Sequence, residues 1–427
     1  MNKDIFRFLN FSELLDLNYN LKEDFQILEK FPQRYSSNLI KPICLFFSSF
    51  FKSLFNGLYR MPALKSEVYL AVSSSKNNNK VILPISEGLD RCLVIGPSLG
   101  NSFPRFLAHL YALPYFFHLI GLVRNLKGYD RRVAISFFHL FWITFGYLRI
   151  WNKILSNSNI KVVIFSNDHL AYYRTLTFIS KKLSILTVYL QHAGISERFP
   201  PLSFDYALLD GEISKDKYMV QSRDSKTNIL LLGSVRFDKI ARLRFSRTDS
   251  RLIGLSLNLL DDEFKVVGIL KAISVSNLFG IVVRFHPGFS AGRKLKLKEL
   301  FGGYVQDFSD PDIEPLELYL SRIRLHLSGV SFIHFEAILS GINSFKIETS
   351  SYAGDPYGFS DEFVIQTLID FDILKNEQNW ILSEFQMEYL RSYVANYDSL
   401  LDGEETLPKY LEVLRDIYFD DHNILRD

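Results

Sequence analysis

Cysteine is close to missing from this chain: Cys44 and Cys92 are the two in 427 residues. That excludes a disulfide scaffold and a cysteine-based zinc module, and it fits a reducing compartment. A surplus of one charge is missing too. Lys and Arg number 49 and Asp and Glu 47, a net charge of +2, where a dedicated nucleic-acid binder carries a strong basic excess. The stretch 1–8 has charges inside its apolar residues and no small-residue cleavage site, so it does not read as a secretory signal. The longest apolar run, 133–148, is broken by Ser136, His139, Thr144 and Gly146 and falls short of the roughly 18–20 residues of a spanning helix. The chain is therefore expected in the cytoplasm. Glycine-rich dinucleotide fingerprints, a phosphate-loop lysine motif and a nucleophile-elbow serine are absent, which argues against a dehydrogenase, a P-loop ATPase and an α/β-hydrolase.

What the chain has is apolar and aromatic bulk: 48% hydrophobic residues, with 38 Phe and 22 Tyr. The length allows two or three domains with sizeable cores. Residues 42–60 and 116–153 are aromatic and basic. They suit either a buried core or a membrane surface that attracts cations and apolar side chains.

After the polar loop 73–80, the run 91–96 (RCLVIG) reads as a buried strand entering a turn at 97–100. Further strands are expected at 160–165, 185–191, 204–209 and 229–233, with a helix over 169–182 capped by 166–168. A second series follows the basic stretch 239–251. Strands are expected at 252–257, 280–285, 304–308, 325–327 and 344–347, and helices at 262–274, 314–321 and 331–339. Strands alternating with helices indicate doubly wound parallel sheets. The expected division is an N-terminal α/β domain over 1–245, a second α/β domain over 246–360, and C-terminal helices over 361–427 that pack back across both. Two such domains would enclose a cleft at the carboxyl ends of their strands.

The polar residues that could carry chemistry follow those strands: His192, Asp210, Ser234, His286, and Ser328 with Ser331. Arg284, His286 and Pro287 place a cation and an imidazole at a strand end, where they can bind a phosphate and protonate a leaving oxygen. Residues 328–336 read as strand, polar turn and helix, an anion site built from Ser hydroxyls and helix amides. Glu336 could accept hydrogen bonds from ribose hydroxyls. The triplet Asp261-Asp262-Glu263 reads as the first turn of a helix, not a metal site.

The ordered set Gln191-His192, FDYALLDG, LLLGSVRFD, RFHPG and SGVSFIHFEAILSG, covering about residues 160–347, resembles bacterial GT-B glycosyltransferases of surface-polysaccharide assembly. Bacterial sialyltransferases and polysialyltransferases have acidic-acidic-Gly, His-Pro and Ser-rich motifs, matched here by Leu209-Asp210-Gly211, His286-Pro287 and Ser328 to Ser331. CDP-glycerol glycerophosphotransferases and capsule Kdo transferases are matched by His192-Ala193, Gly233 to Asp238, His286-Pro287, and Ser331 with Glu336, Ala337 and Gly341. Leu209 and Ala193 depart from the two patterns and leave the donor open.

The resemblance implies a GT-B-like pair of Rossmann-like domains and a metal-independent inverting transfer from a nucleotide sugar to a surface glycan or glycolipid. The donor it favours is CMP-linked sialic acid or a related acid sugar. The alternatives are a CDP-glycerol or UDP-sugar transferase and a UDP-sugar 2-epimerase-like isomerase. Asp210 is the favoured base and His192 its rival, with Asp168 a third candidate that also suits a helix cap. Arg284, Pro287, Ser328, Ser331, Glu336 and Ser234 would hold the donor. A lipid-linked acceptor would bring the protein to the inner membrane face.

Overall fold

The computed structural model describes residues 40–56, 66–73, 75–96, 104–127, 131, 134–135, 138–167, 170–195, 199, 201–221, 226–245, 250–275, 278–350, 357–359 and 364–424. The turn expected at 97–100 lies outside them. The chain divides into two compact units, Met1–Leu232 with Leu407–Asp427, and Gly233–Thr406.

Short aliphatic runs build the first unit. β1 (Tyr69–Val72), β2 (Cys92–Ile95), β3 (Val162–Phe165), β4 (Leu186–Leu190), β5 (Tyr206–Leu209) and β6 (Asn228–Leu231) form one parallel sheet in the order β2-β1-β3-β4-β5-β6. Every residue of β1 and β3 is buried, as strands covered on both faces require. Helices Lys76–Glu87, Ala171–Lys182 and Glu212–Gln221 make crossovers. Three apolar helices, Ile40–Asn56, Arg105–Ala112 and Phe138–Leu155, pack together. At Gly146 a Cβ would fall 1.8 Å from the Ala108 carbonyl oxygen, so glycine alone permits the approach of the last two helices. The closing helix, Leu407–Ile424, returns to this unit. The Tyr69 hydroxyl donates to the Leu414 carbonyl at 3.4 Å and Arg415 to the Gly88 carbonyl at 3.0 Å.

The second unit repeats the logic. β7 (Leu252–Ser256), β8 (Gly280–Arg284), β9 (Asp307–Ser309), β10 (Leu325–Ser328), β11 (Asn343–Lys346) and β12 (Gln366–Thr367) are parallel in the order β12-β11-β10-β7-β8-β9. The winding reverses between β7 and β10. That reversal opens a crevice at the carboxyl ends of the two strands, where doubly wound sheets bind ligands.

The expected pair of doubly wound parallel sheets is thus present, with β1 and β12 added to the strands legible in the sequence. The division differs from the expected 1–245, 246–360 and 361–427. The seam falls at Leu232/Gly233 because the next residues are anchored in the second unit. Phe237 packs on Phe335 at 5.3 Å, and Arg244 donates to the Leu339 carbonyl at 3.0 Å and the Tyr397 hydroxyl at 2.9 Å. Nor is 361–427 a segment of its own: the chain through Thr406 belongs to the second unit and the remainder to the first.

Candidate functional site

The loops after β7, β10 and β11 lock together at the reversal. Asn258 donates its side-chain amide to the Val330 carbonyl at 3.1 Å and its backbone N–H to Asp261 at 2.7 Å. The Thr349 hydroxyl donates to the other Asp261 oxygen at 2.6 Å. Burial raises the Asp261 pKa, and these two hydrogen bonds only partly offset it. A Cβ on Gly329 would lie 2.4 Å from Thr349 Oγ1 and 2.8 Å from Asp261 Oδ1, so the turn after β10 needs glycine. The acidic triplet is expected to form the first turn of a helix; Asp262 is instead its N-cap, accepting from the N–H groups of Phe264 and Lys265, and the helix begins at Glu263. Asp261 has a separate place in the loop cluster, which the sequence reading missed.

His286 stands two residues past β8. Its Nδ1 accepts the Gly288 N–H at 2.9 Å, which leaves Nε2 to carry the ring proton. Burial, then the Arg293 cation, lowers its pKa. Pro287 is exposed beside it. Arg284 has a different position: its guanidinium is buried, donates to Ser309 Oγ at 2.6 Å and the Glu314 carbonyl at 3.1 Å, and lies over the Tyr319 ring. It ties β8 to β9 and to the chain leading into helix Leu316–Arg322.

Ser328 ends β10 fully buried and donates to the Ser256 carbonyl at 2.7 Å, a rung between β10 and β7. Half-buried Ser331 accepts the Ile333 N–H at 3.5 Å before the seven-residue helix Ile333–Leu339, on which Glu336 is half-exposed. Ser234 is buried and accepts from Arg236 at 3.2 Å.

Beneath this edge runs a buried polar chain. His334 contacts the Gly329 carbonyl through Nε2 at 2.8 Å and Ser344 Oγ through Nδ1 at 2.6 Å. His326 contacts Ser344 Oγ through Nδ1 at 2.7 Å and Ser256 Oγ through Nε2 at 2.9 Å, and Ser256 reaches the Tyr319 hydroxyl at 3.2 Å. Burial, His334 and Arg284 hold the His326 pKa well below its ordinary value. A neutral His326 beside a neutral His334 gives one pattern that satisfies every contact. Tyr319 donates to Ser256, which donates to His326; His326 donates to Ser344, which donates to His334; His334 donates to the Gly329 carbonyl. The sequence carries no signal for this chain, since its members lie up to 88 positions apart.

On the first unit, buried Gln191 accepts the Asp210 N–H at 2.9 Å and donates to Ser214 Oγ and the Ala193 carbonyl, both at 3.0 Å. It thereby links the ends of β4 and β5 with helix Glu212–Gln221. Asp210 is completely buried, whereas His192 is half-buried. Glu212 pairs on the surface with Lys215. Asp168 lies outside the described residues, among which no cluster of three His, Cys, Asp or Glu could hold a metal ion.

No protein-family model and no curated protein matches the chain. Solved structures of similar fold do exist. A UDP-GlcNAc 2-epimerase from Neisseria meningitidis bound to UDP-GlcNAc shares 12% identity over 83% of this chain and 100% of that one, with a TM-score of 0.47. The wall teichoic acid polymerase TagF shares 11% over 92% and 100%, at 0.46. A glycosyltransferase from Rickettsia africae shares 10% over 83% and 99%, at 0.44. These are likenesses of fold, and the residues above carry the site.

Proposed function

We propose that the chain is a glycosyltransferase that takes its sugar from a nucleotide donor. The observation behind this reading is the carboxyl edge at the β7/β10 reversal. A glycine-dependent turn, the Asn258–Asp261–Thr349 cluster and the Nε2–H of His286 sit there, where a nucleotide phosphate would be received. In this reading His286 donates to the departing phosphate, while Ser331 and Glu336 hold the ribose. Asp210 and His192 are the candidate bases for the acceptor proton, and this reading invokes no metal ion.

The finer reading, a CMP-linked acid sugar passed to a surface glycan, rests on the motifs around Asp210, His286 and Ser328. A CDP-glycerol-type transferase is the second reading. It is favoured by the accessibility of His192, the base such an enzyme would use, beside a fully enclosed Asp210.

Donor hydrolysis assayed across CMP-, CDP- and UDP-linked substrates separates these readings, and conversion of a UDP-sugar to its 2-epimer would mark an isomerase instead. His286→Ala should slow transfer by about 10²–10⁴-fold with the fold intact. Near-normal turnover would remove His286 from the mechanism. His192→Ala and Asp210→Asn then divide: the variant that loses transfer but still binds nucleotide identifies the base.

A further inference from the structure

We infer that the first unit docks on an anionic membrane surface through the outer face of helices Ile40–Asn56 and Arg105–Asn125, independently of what the sheet edges bind. Helices Ile40–Asn56, Arg105–Ala112 and Phe116–Asn125 all pack on Phe138–Leu155. Their inner faces are aromatic: Phe46 meets Trp142 at 5.6 Å, Phe50 meets Phe106 at 5.5 Å, and Phe116 meets Trp142 at 5.7 Å. The opposite faces are apolar as well, and bare. Ile43, Phe47 and Phe51 recur every four residues and are 54%, 53% and 53% exposed. On the neighbouring segment Leu107 and Leu113 are exposed too, and Phe117 is 84% exposed. Scattered apolar side chains are ordinary on a protein surface, but a row of this size marks an interaction site.

The charge around this face selects the occupant. Residues 30–66 and 91–129 contain no Asp or Glu, and among the described residues the exposed charged side chains on these segments are Lys52, Arg91, Arg105, Arg124 and Lys127. Apolar side chains among cations alone suit the interface of a bilayer rich in anionic lipid. A second copy of the same face would bring cation against cation. The segment Arg105–Asn125 is long and apolar enough to cross a membrane. However, it breaks at Leu113–Tyr115, and its buried Ala108, His109 and Leu119 hold it against the unit. It therefore lies on the bilayer and does not span it.

The test is flotation of the full chain with vesicles of phosphatidylcholine alone or with about one-third phosphatidylglycerol. Binding is expected to the anionic vesicles and to weaken as salt rises. Phe47→Ser with Phe51→Ser should lower the bound fraction at least about 10-fold while circular dichroism and melting stay unchanged, because both rings are exposed. Lys52→Glu with Arg105→Glu should reduce binding to anionic vesicles. Three results would overturn the inference: no flotation with either vesicle, flotation indifferent to the Phe pair, or a concentration-dependent dimer that the same pair abolishes without any lipid binding.

Discussion

Ser344→Ala is the sharpest test of the chain beneath the β7/β10 edge, because it removes one oxygen and leaves the packing shape. Ser344 is 1% exposed and serves two rings, at 2.7 Å from His326 and 2.6 Å from His334. Without it, a His326 donor and a His334 acceptor are left in the interior. Each orphaned group costs about 1–3 kcal/mol, so the variant should lose at least about 2 kcal/mol. For a unit of this size that is a fall in melting temperature of about 4–8 °C. Ser328→Ala is the control: it withdraws one donor from the Ser256 carbonyl, and the loss should stay near 1 kcal/mol. Thermal melts of the two variants and the parent measure both effects. A Ser344→Ala protein within about 1 °C of the parent, or one less affected than Ser328→Ala, would refute the hydrogen-bond pattern.

Two further outcomes concern the first unit. Burial, with a smaller contribution from His139, lowers the His109 pKa to about 4, so the folded unit holds fewer protons than the unfolded chain at mildly acidic pH. His109 should leave stability intact above about pH 6.5 and remove about 2 kcal/mol by pH 5, and denaturant titrations of the parent and His109→Gln at both pH values would show the dependence flattened in the variant. At Gly146, helix propensity alone would make Ala stabilising by about 1 kcal/mol. The contact with the Ala108 backbone predicts instead a loss of about 1–3 kcal/mol, and a higher melting temperature for Gly146→Ala would show that the helices separate freely.

The strands were legible because buried parallel strands read as short apolar runs ended by polar residues, as at 160–165 and 252–257. β1 was not, since four residues beside a polar stretch, whose residues 76–80 open helix Lys76–Glu87, carry too little pattern to separate strand from helix. The site was legible only as positions along the chain. Arg284 ends its strand as expected, yet its side chain is turned to Ser309 and Glu314, and a sequence does not say which way the last residue of a strand points. Asp261 is adjacent to two other acids, so only the neighbouring loops distinguish its role from capping. His326 and His334 look like core residues within RLHLS and FIHFEAI until β7, β10 and β11 are aligned. The basic run 239–251 looks like a linker in the sequence, while its Arg244 is fastened to residues near 339 and 397.

The second unit is inserted in the first, and its two ends meet: the Asp238 carboxylate accepts both the N–H and the hydroxyl of Thr406. On the ribosome this imposes an order of assembly. Thr406 emerges before the helix that supplies the Leu414 and Arg415 contacts to Tyr69 and Gly88. The host is thus begun first and finished last. The joined ends also make 233–406 a natural cassette for excision, with a short linker from residue 232 to 407 in its place.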